Sequence, residues 1–295
     1  MAPPSDANVR SPAVAGRFYP ADQRQCQAEV KSYLYLPSPD AEKKWFGAVV
    51  PHAGWICSGA VAGRAIATLA AQGKVDVVVI FGAVHTPIPI AYAALDSHSD
   101  WALPGGAAHV SAELQERLVQ KGSLFTVDAR MHSREHAIEV VVPIVQEAFH
   151  NIPIVPIEVP CLDVAELIGR KTAQAVVESS LRAVYLASSD LTHYGPNYGF
   201  TPAGVGAAAM EWTKENDRHL LRLISSLSAD RIVPEVNHRY NACGAGAIAA
   251  MLAACKACGA TTGKVLWHTN SYETLSRVAP QPPHNAVGYA AVVVG

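Results

Sequence analysis

Short apolar runs alternate with longer amphipathic stretches along most of this chain, and that alternation predicts its elements. Runs rich in Val, Ile and Ala at 46–50, 75–81, 92–95, 183–187, 264–269 and 286–294 have the length and composition of buried strands. The run at 152–159 contains Pro153 and Pro156, which predicts an edge or bulged strand, because proline offers no N–H to a ladder. Helical periodicity covers 22–34, 58–71, 111–121, 164–179, 211–227 and 244–256. A further helix over 134–148 carries Pro143 inside it, so a kink or break is expected there. Pro37, Ser38, Pro39 and Asp40 form a breaker, and residues 1–9 are expected to be a flexible leader. Strands and helices in turn predict one α/β domain over 10–295, with a largely parallel central sheet and helices on both faces.

Composition narrows the function classes. Of 295 residues, 50% are hydrophobic and only 16% charged, ample for a large core. The 23 basic and 25 acidic side chains nearly balance, which argues against a nucleic-acid binder or any other polyanion partner. No apolar stretch reaches the ~20 residues of a membrane span, and Met1-Ala2-Pro3-Pro4-Ser5-Asp6 does not read as a secretory signal. The expected location is therefore the cytoplasm, with the six cysteines as thiols. Cys255 and Cys258 spell C-x-x-C, but no second pair follows and they end an Ala-rich helical run, so a structural role is expected.

The chemistry collects behind the predicted strands. His52 follows the strand ending at Val50, His85 the strand ending at Phe81, and Asp190 and His193 the strand ending near Ala187. In a parallel sheet all carboxyl ends lie on one edge, so three strands would deliver these groups to one rim. One helical turn at 190–193 would put Asp190 and His193 on one face, although Asp190 also suits a helix N-cap. Cys243 stands in the glycine-rich Asn241-Ala242-Cys243-Gly244-Ala245-Gly246, at the expected start of a helix whose amides would favour its thiolate. A thiolate would complete a two-histidine site for Fe²⁺, Zn²⁺ or Cu⁺. Any one of these histidines taken alone has an ordinary surface reading. His98, His109, His132, His150, His219, His238, His268 and His284 are read as surface or satisfied core residues.

Pro51-His52-Ala53-Gly54-Trp55, the His85 loop, Glu135-His136-Ala137-Ile138-Glu139, Ser188-Ser189-Asp190-Leu191-Thr192-His193, Asn241-Ala242-Cys243-Gly244 and the closing Val287-Gly288-Tyr289-Ala290-Ala291 occur in that order. Together they resemble the Memo-like family, also called the AmmeMemoRadiSam system protein B, from about Arg10 to the C-terminus. The resemblance implies a fold like that of class III extradiol dioxygenases. It also implies metal ligation by His52, His85 and Cys243, with Asp190 and His193 lining the same pocket. His136 and Glu139 match a family motif and are expected among or just behind the ligands. Extradiol enzymes use two histidines and a carboxylate; Cys243 in place of the carboxylate sets ring cleavage itself in question. Arg17 stands where family members vary. The system's name implies an AMMECR1-domain protein and a radical SAM protein as partners.

Three functions follow as expectations. One is a non-haem Fe(II) oxidoreductase, dioxygenase-like, acting on a small electron-rich substrate. His193 would be its general base, with Asp190 orienting His193 or relaying its proton. The second is a zinc-dependent hydrolase at the same His₂Cys centre. The third is a catalytically silent protein that docks peptides or partners. The expected cofactor is one divalent metal ion, iron fitting best, with zinc and copper left open.

Overall fold

The structure, a computed structural model, describes residues 8–34 and 44–295. Most of the expected leader (residues 1–7) and the expected breaker at 37–40 lie outside the described residues; Val9 already belongs to a strand. In chain order the elements are β1 (Val9–Arg10), α1 (Gln23–Leu34), β2 (Gly47–Val50), α2 (Trp55–Ala70), β3 (Val77–Ala83), β4 (Ala93–Leu95), β5 (Asp100–Leu103), β6 (Gly106–His109), α3 (Ala112–Val119) and β7 (Phe125–Val127). There follow α4 (Ala129–His132), α5 (Val142–Ala148), β8 (Ile154–Val159), α6 (Val164–Glu178), β9 (Ala183–Ser188) and β10 (His193–Tyr194). The last are α7 (Ala207–Ser225), α8 (Ala229–Arg239), α9 (Ala245–Ala257), β11 (Gly263–Asn270), α10 (Ser271–Ser276) and β12 (Ala286–Val294).

The central sheet runs β10-β12-β2-β9-β3-β8-β4-β7, with β11 also on β12. It is mixed, which corrects the largely parallel sheet expected from the alternation. β2, β9, β3 and β8 are parallel to one another, but β12 is antiparallel to β2, β10 and β11, and β4 is antiparallel to β8. The reversals occur where a connection lacks a full crossover helix, which a parallel return requires. Only the short α10 joins β11 to β12, and the chain from β3 to β4 has no helix.

Both faces of the parallel block are buried, and period-2 alternation divides its side chains between them. Val77, Val79 and Phe81 pack toward α6, α8 and α9, while Val78 and Ile80 pack toward α1, α2 and α5. α9 is buried from Ala245 to Cys255 and apolar all round, as a helix enclosed by sheet and helices must be. Its alanines let α6 approach closely: a Cβ at Gly169 would stand 2.0 Å from the Ala250 carbonyl.

Proline shapes two departures from the expected elements. The region 134–148 is not one helix, and the break expected at Pro143 is present. α5 begins only at Val142, with Pro143 in its first turn, the helical position where a missing N–H costs nothing. Before it, the Glu135 carboxylate accepts from the Ile138 and Glu139 amides at 2.7 and 3.0 Å, replacing helical bonds with a local side-chain turn. β8 is interior, not an edge. The Pro153 carbonyl accepts from Val78 and the Ile154 carbonyl accepts from Ser111 on the other side, so Pro156 faces away from β3. There the ladder to β4 covers only Ile157 and Glu158, so no partner awaits the missing N–H. Sequence periodicity also missed α8, which carries Pro234 within it, and the small β1-β5-β6 sheet. Among the described residues no helix is long and apolar enough to cross a membrane.

Glu158 lies on β8 beside Gly82 and Ala94, fully buried, with neither carboxylate oxygen hydrogen-bonded to a described residue. Burial, reinforced by Glu135, raises its pKa from the ordinary 4.5 to about 9. A folded-state value above the unfolded one means stability is complete below about pH 4.5 and lost as pH rises toward 9. Glu158→Gln should therefore flatten the pH dependence of stability, gaining on the order of 2 kcal/mol at pH 8 and little at pH 5. Urea unfolding at several pH values tests this; parallel curves for the two proteins would refute it.

Candidate metal centre

The parallel block sets the site's geometry. Val50 pairs with Ser188, and Ser188 with Gly82, so β2, β9 and β3 end level with one another. The next residues on each chain, Pro51-His52, Ser189-Asp190 and Val84-His85, leave from the same edge. The loop entering α9 brings Cys243 against them: its amide donates to the Asp190 carbonyl at 3.2 Å, and Gly244 fits only because a Cβ there would lie 2.7 Å from the Ser189 Cβ.

His52 is buried, and its Nδ1 stands 3.0 Å from Ser188 Oγ. Ser188 Oγ donates its own hydrogen to the Ala137 carbonyl, so it must accept from the imidazole. That assigns the proton to Nδ1 and leaves the Nε2 lone pair facing Cys243 Sγ at 3.3 Å. His85 is the exposed member. One donor atom each from His52, His85 and Cys243 lie within 4.8 Å of one another. His136 adds a third ring, stacked on His85 with centroids 4.6 Å apart and edge-on to His52 at 5.6 Å.

All three imidazoles are held below the ordinary histidine range. Burial does most of this for His52, helped by His85, His136 and His193; desolvation also leads for His136 and for His85, whose ring is crowded by neighbours on its inner side although the residue is exposed. Neutral rings are what a metal requires. Cys243 behaves otherwise than expected from its place before a helix: burial, then Asp190, push its thiol up. α9 starts only at Ala245, and the Gly244 amide already donates to Ser189 Oγ at 2.9 Å, so it does not serve the sulfur. The thiolate would form when a cation binds, releasing a proton. The donor set fits such a cation: N and S ligands at about 2.0–2.1 and 2.3 Å around a tetrahedral ion stand about 3.5 Å apart, close to the 3.3 Å seen.

Asp190 and His193 stand three residues apart on extended chain, not on a helical turn, and Asp190 caps no helix. The Asp190 Oδ1 accepts from the His52 and Ala53 amides at 2.8 and 3.3 Å, and burial raises its pKa to about 6 against the opposing pull of His193. His193 lies on β10, its Nδ1 donating to the Leu191 carbonyl at 3.1 Å, which leaves Nε2 free. It lines a cavity of about 660 Å³ together with His85, Cys243, Tyr198, Phe200 and Tyr240. Glu139 sits behind the cluster and is fully buried.

A family model described as "Memo-like protein" matches residues 10–293. The chain belongs to the Memo family. Among its relatives are proteins named as MEMO1 family members from Methanococcoides burtonii, Methanosarcina barkeri and Thermococcus onnurineus. They are 36%, 35% and 32% identical, each aligned over 97% of this chain and 99–100% of its own length.

In this Memo family chain several residues that build the site were not singled out from sequence. Ser188, which orients His52, was legible only as a polar residue ending an apolar strand. Arg10 and Tyr19 bind Glu139 across the fold at 2.7 and 3.0 Å. Asp217 is buried beneath the His193 loop, accepting from the Thr192 amide at 3.0 Å and holding His268 Nε2 at 3.0 Å. Gly288 makes room for that carboxylate, since a Cβ there would stand 2.2 Å from Asp217 Oδ2. His268, read from sequence as a surface or satisfied core residue, is half-buried with its Nε2 held by Asp217.

Proposed function

We propose that this Memo family protein is a metal-dependent oxidoreductase, built around one non-haem Fe(II) held by His52, His85 and Cys243. The observation that carries the proposal is the cavity of about 660 Å³ into which two of the three donors and the free His193 Nε2 face. His52, His85 and Cys243 would hold the ion, and Fe(II) bound there would supply one-electron chemistry toward O₂. The likeness to class III extradiol dioxygenases is part of this reading, with Cys243 in place of their carboxylate making oxidation, and not specifically ring cleavage, the proposed reaction.

The residues have distinct tasks. His193 Nε2 takes the proton of a substrate hydroxyl; the O–H electrons stay on oxygen as the ring becomes imidazolium. The Leu191 carbonyl holds the ring in the tautomer this needs. Asp190 positions His52 by gripping its loop. His136 flanks His85 and fixes its ring. Tyr198, 5.2 Å edge-on to His193, helps close the cavity around a small electron-rich substrate such as a catechol-like diol.

His193→Ala is expected to retain about one metal per chain while turnover, followed as O₂ uptake in a screen of catechols, falls at least ~100-fold. Metal lost from that variant would remove the base assignment. Turnover under argon with stoichiometric zinc would replace iron oxidation with hydrolysis at the same centre.

A further inference from the structure

Three aromatic side chains, Tyr198, Phe200 and Tyr240, line the same cavity as His85, Cys243 and His193. They come from two parts of the chain. Tyr198 and Phe200 follow β10 in a closed turn, where the Gly195 amide donates to the Phe200 carbonyl at 2.8 Å and the Phe200 amide returns to Gly195 at 3.3 Å. Tyr240 caps the end of α8. Phe200 is anchored in the fold: its ring lies 6.1 Å from that of Tyr194, which is fully buried, and 5.8 Å from that of Trp212. Tyr198 stands edge-on to His193 at 5.2 Å. The ring of Tyr240 meets Phe200 at 5.7 Å and otherwise stays 65% exposed.

The backbone of Tyr240 is left-handed, with φ 54° and ψ 36°, and its amide closes α8 on the Val236 carbonyl at 2.8 Å. Helices commonly end in that conformation, but on glycine or asparagine, because a Cβ there crowds the neighbouring carbonyl. The other described non-glycine residues with positive φ have ordinary reasons for it. Leu227 is buried in the core, His150 and Asn151 are types that tolerate the conformation, and Ser180 is small. Tyr240 is bulky and its ring is mostly in solvent, so packing does not account for a tyrosine at this position. Residues held in costly backbone conformations collect at functional sites.

The described lining of the cavity contains no Asp, Glu, Lys or Arg. Apart from His85, Cys243, His193 and Asn237, it consists of the three aromatic residues with Gly199, Val236 and Ala242. A charged group away from the metal donors would lose its hydration there without a counter-charge. A flat ring loses little, and aromatic side chains accept it offset or edge-on. We propose that Tyr240 is a specificity-determining residue of the metal site, selecting a neutral planar aromatic ring that packs against Tyr240, Phe200 and Tyr198. This rests on the metal-centre reading and narrows it: the substrate's ring is recognised, and not only its hydroxyl. The polar substituent of that ring then shares one cavity with His85, Cys243 and the free Nε2 of His193.

Calorimetric titration of zinc-loaded and metal-free protein with benzyl alcohol and cyclohexylmethanol tests the proposal without requiring turnover. The two alcohols share their polar group, and the saturated one is the more apolar, so burial alone would favour cyclohexylmethanol. Benzyl alcohol should instead bind about fivefold more tightly, the factor a ring–ring contact typically contributes. Tyr240→Phe should keep that preference and Tyr240→Leu should lose it, with metal content unchanged in both. Tyr240→Gly should lose it as well, while its thermal midpoint stays level or rises, because glycine accepts the left-handed backbone. Cyclohexylmethanol binding as tightly as benzyl alcohol would overturn the proposal, as would no binding of either, or the same preference in wild type and Tyr240→Leu. A lower midpoint in Tyr240→Gly would also overturn it, by making the ring a packing residue. If no metal is taken up, the centre's own assignment fails, and the metal-free titration still decides whether Tyr240 selects a ring.

Discussion

Replacing Cys243 by serine is expected to reduce bound metal from about one ion per chain to less than a tenth of that. The sulfur is one of three donors within 4.8 Å of each other, and the only one that becomes an anion on binding. A serine hydroxyl is harder and ionises far less readily, so it does not replace a thiolate toward Fe²⁺, Zn²⁺ or Cu⁺. His52→Ala should have an equal effect, since it removes the donor whose tautomer Ser188 has already set. Ser188→Ala leaves all three donors in place and frees only the orientation of His52. Its cost should be the 10–100-fold loss of affinity typical of a residue that supports a ligand. Elemental mass spectrometry on protein purified without oxygen, with a competing chelator for the affinities, reads the whole series. Full metal content in Cys243→Ser would remove the His52/His85/Cys243 assignment, and equal losses in Ser188→Ala and Cys243→Ser would point to collapse of the site.

The second large effect is on stability. Arg10→Met should destabilise the fold by about 3–5 kcal/mol, because removing one partner of a buried pair leaves the other charge uncompensated. Both side chains are almost wholly inaccessible, and Arg10 Nη1 meets Glu139 Oε2 at 2.7 Å. The guanidinium also donates to the His132 and Glu135 carbonyls at 2.6 and 2.8 Å and stacks 4.0 Å from the Trp101 ring. Against a typical domain stability of about 5–15 kcal/mol, the loss is a large fraction. Guanidinium unfolding should show a lower midpoint with an unchanged slope. Arg10→Met combined with Glu139→Met should recover only part of the loss, since the Ala13 and Val14 amides would then lack their acceptor. A single-variant loss below 1 kcal/mol would show that the pair does not hold the N-terminal segment to the core.

These two results test different levels of the molecule, and they were not equally legible in the sequence. His52, His85 and Cys243 stood out because each follows a recognisable element boundary and carries ligand chemistry. Arg10 and Glu139, 129 residues apart, carried no local sign that they would meet. Glu139 was noticed through a motif, and the partner that explains its burial was not. The protonation of Cys243 also escaped a local reading, because it depends on the buried surroundings of the sulfur and on Ser189 occupying the nearby amide.

What the sequence by itself determined was the kind and approximate span of most elements, the α/β class, and which residues end the strands that meet at the site. Those are local properties, written in apolar periodicity, in glycine and proline, and in the chemistry of single side chains. What only the tertiary structure decided was direction, partner and charge. The antiparallel return of β12, the tolerance of Pro156 inside the sheet, the start of α5 at Val142, the tautomer of His52 and the burial of the Arg10–Glu139 pair all depend on groups distant along the chain. Hydrogen-bond satisfaction and desolvation are set by what surrounds a group in three dimensions, and a window of neighbouring residues does not contain that information.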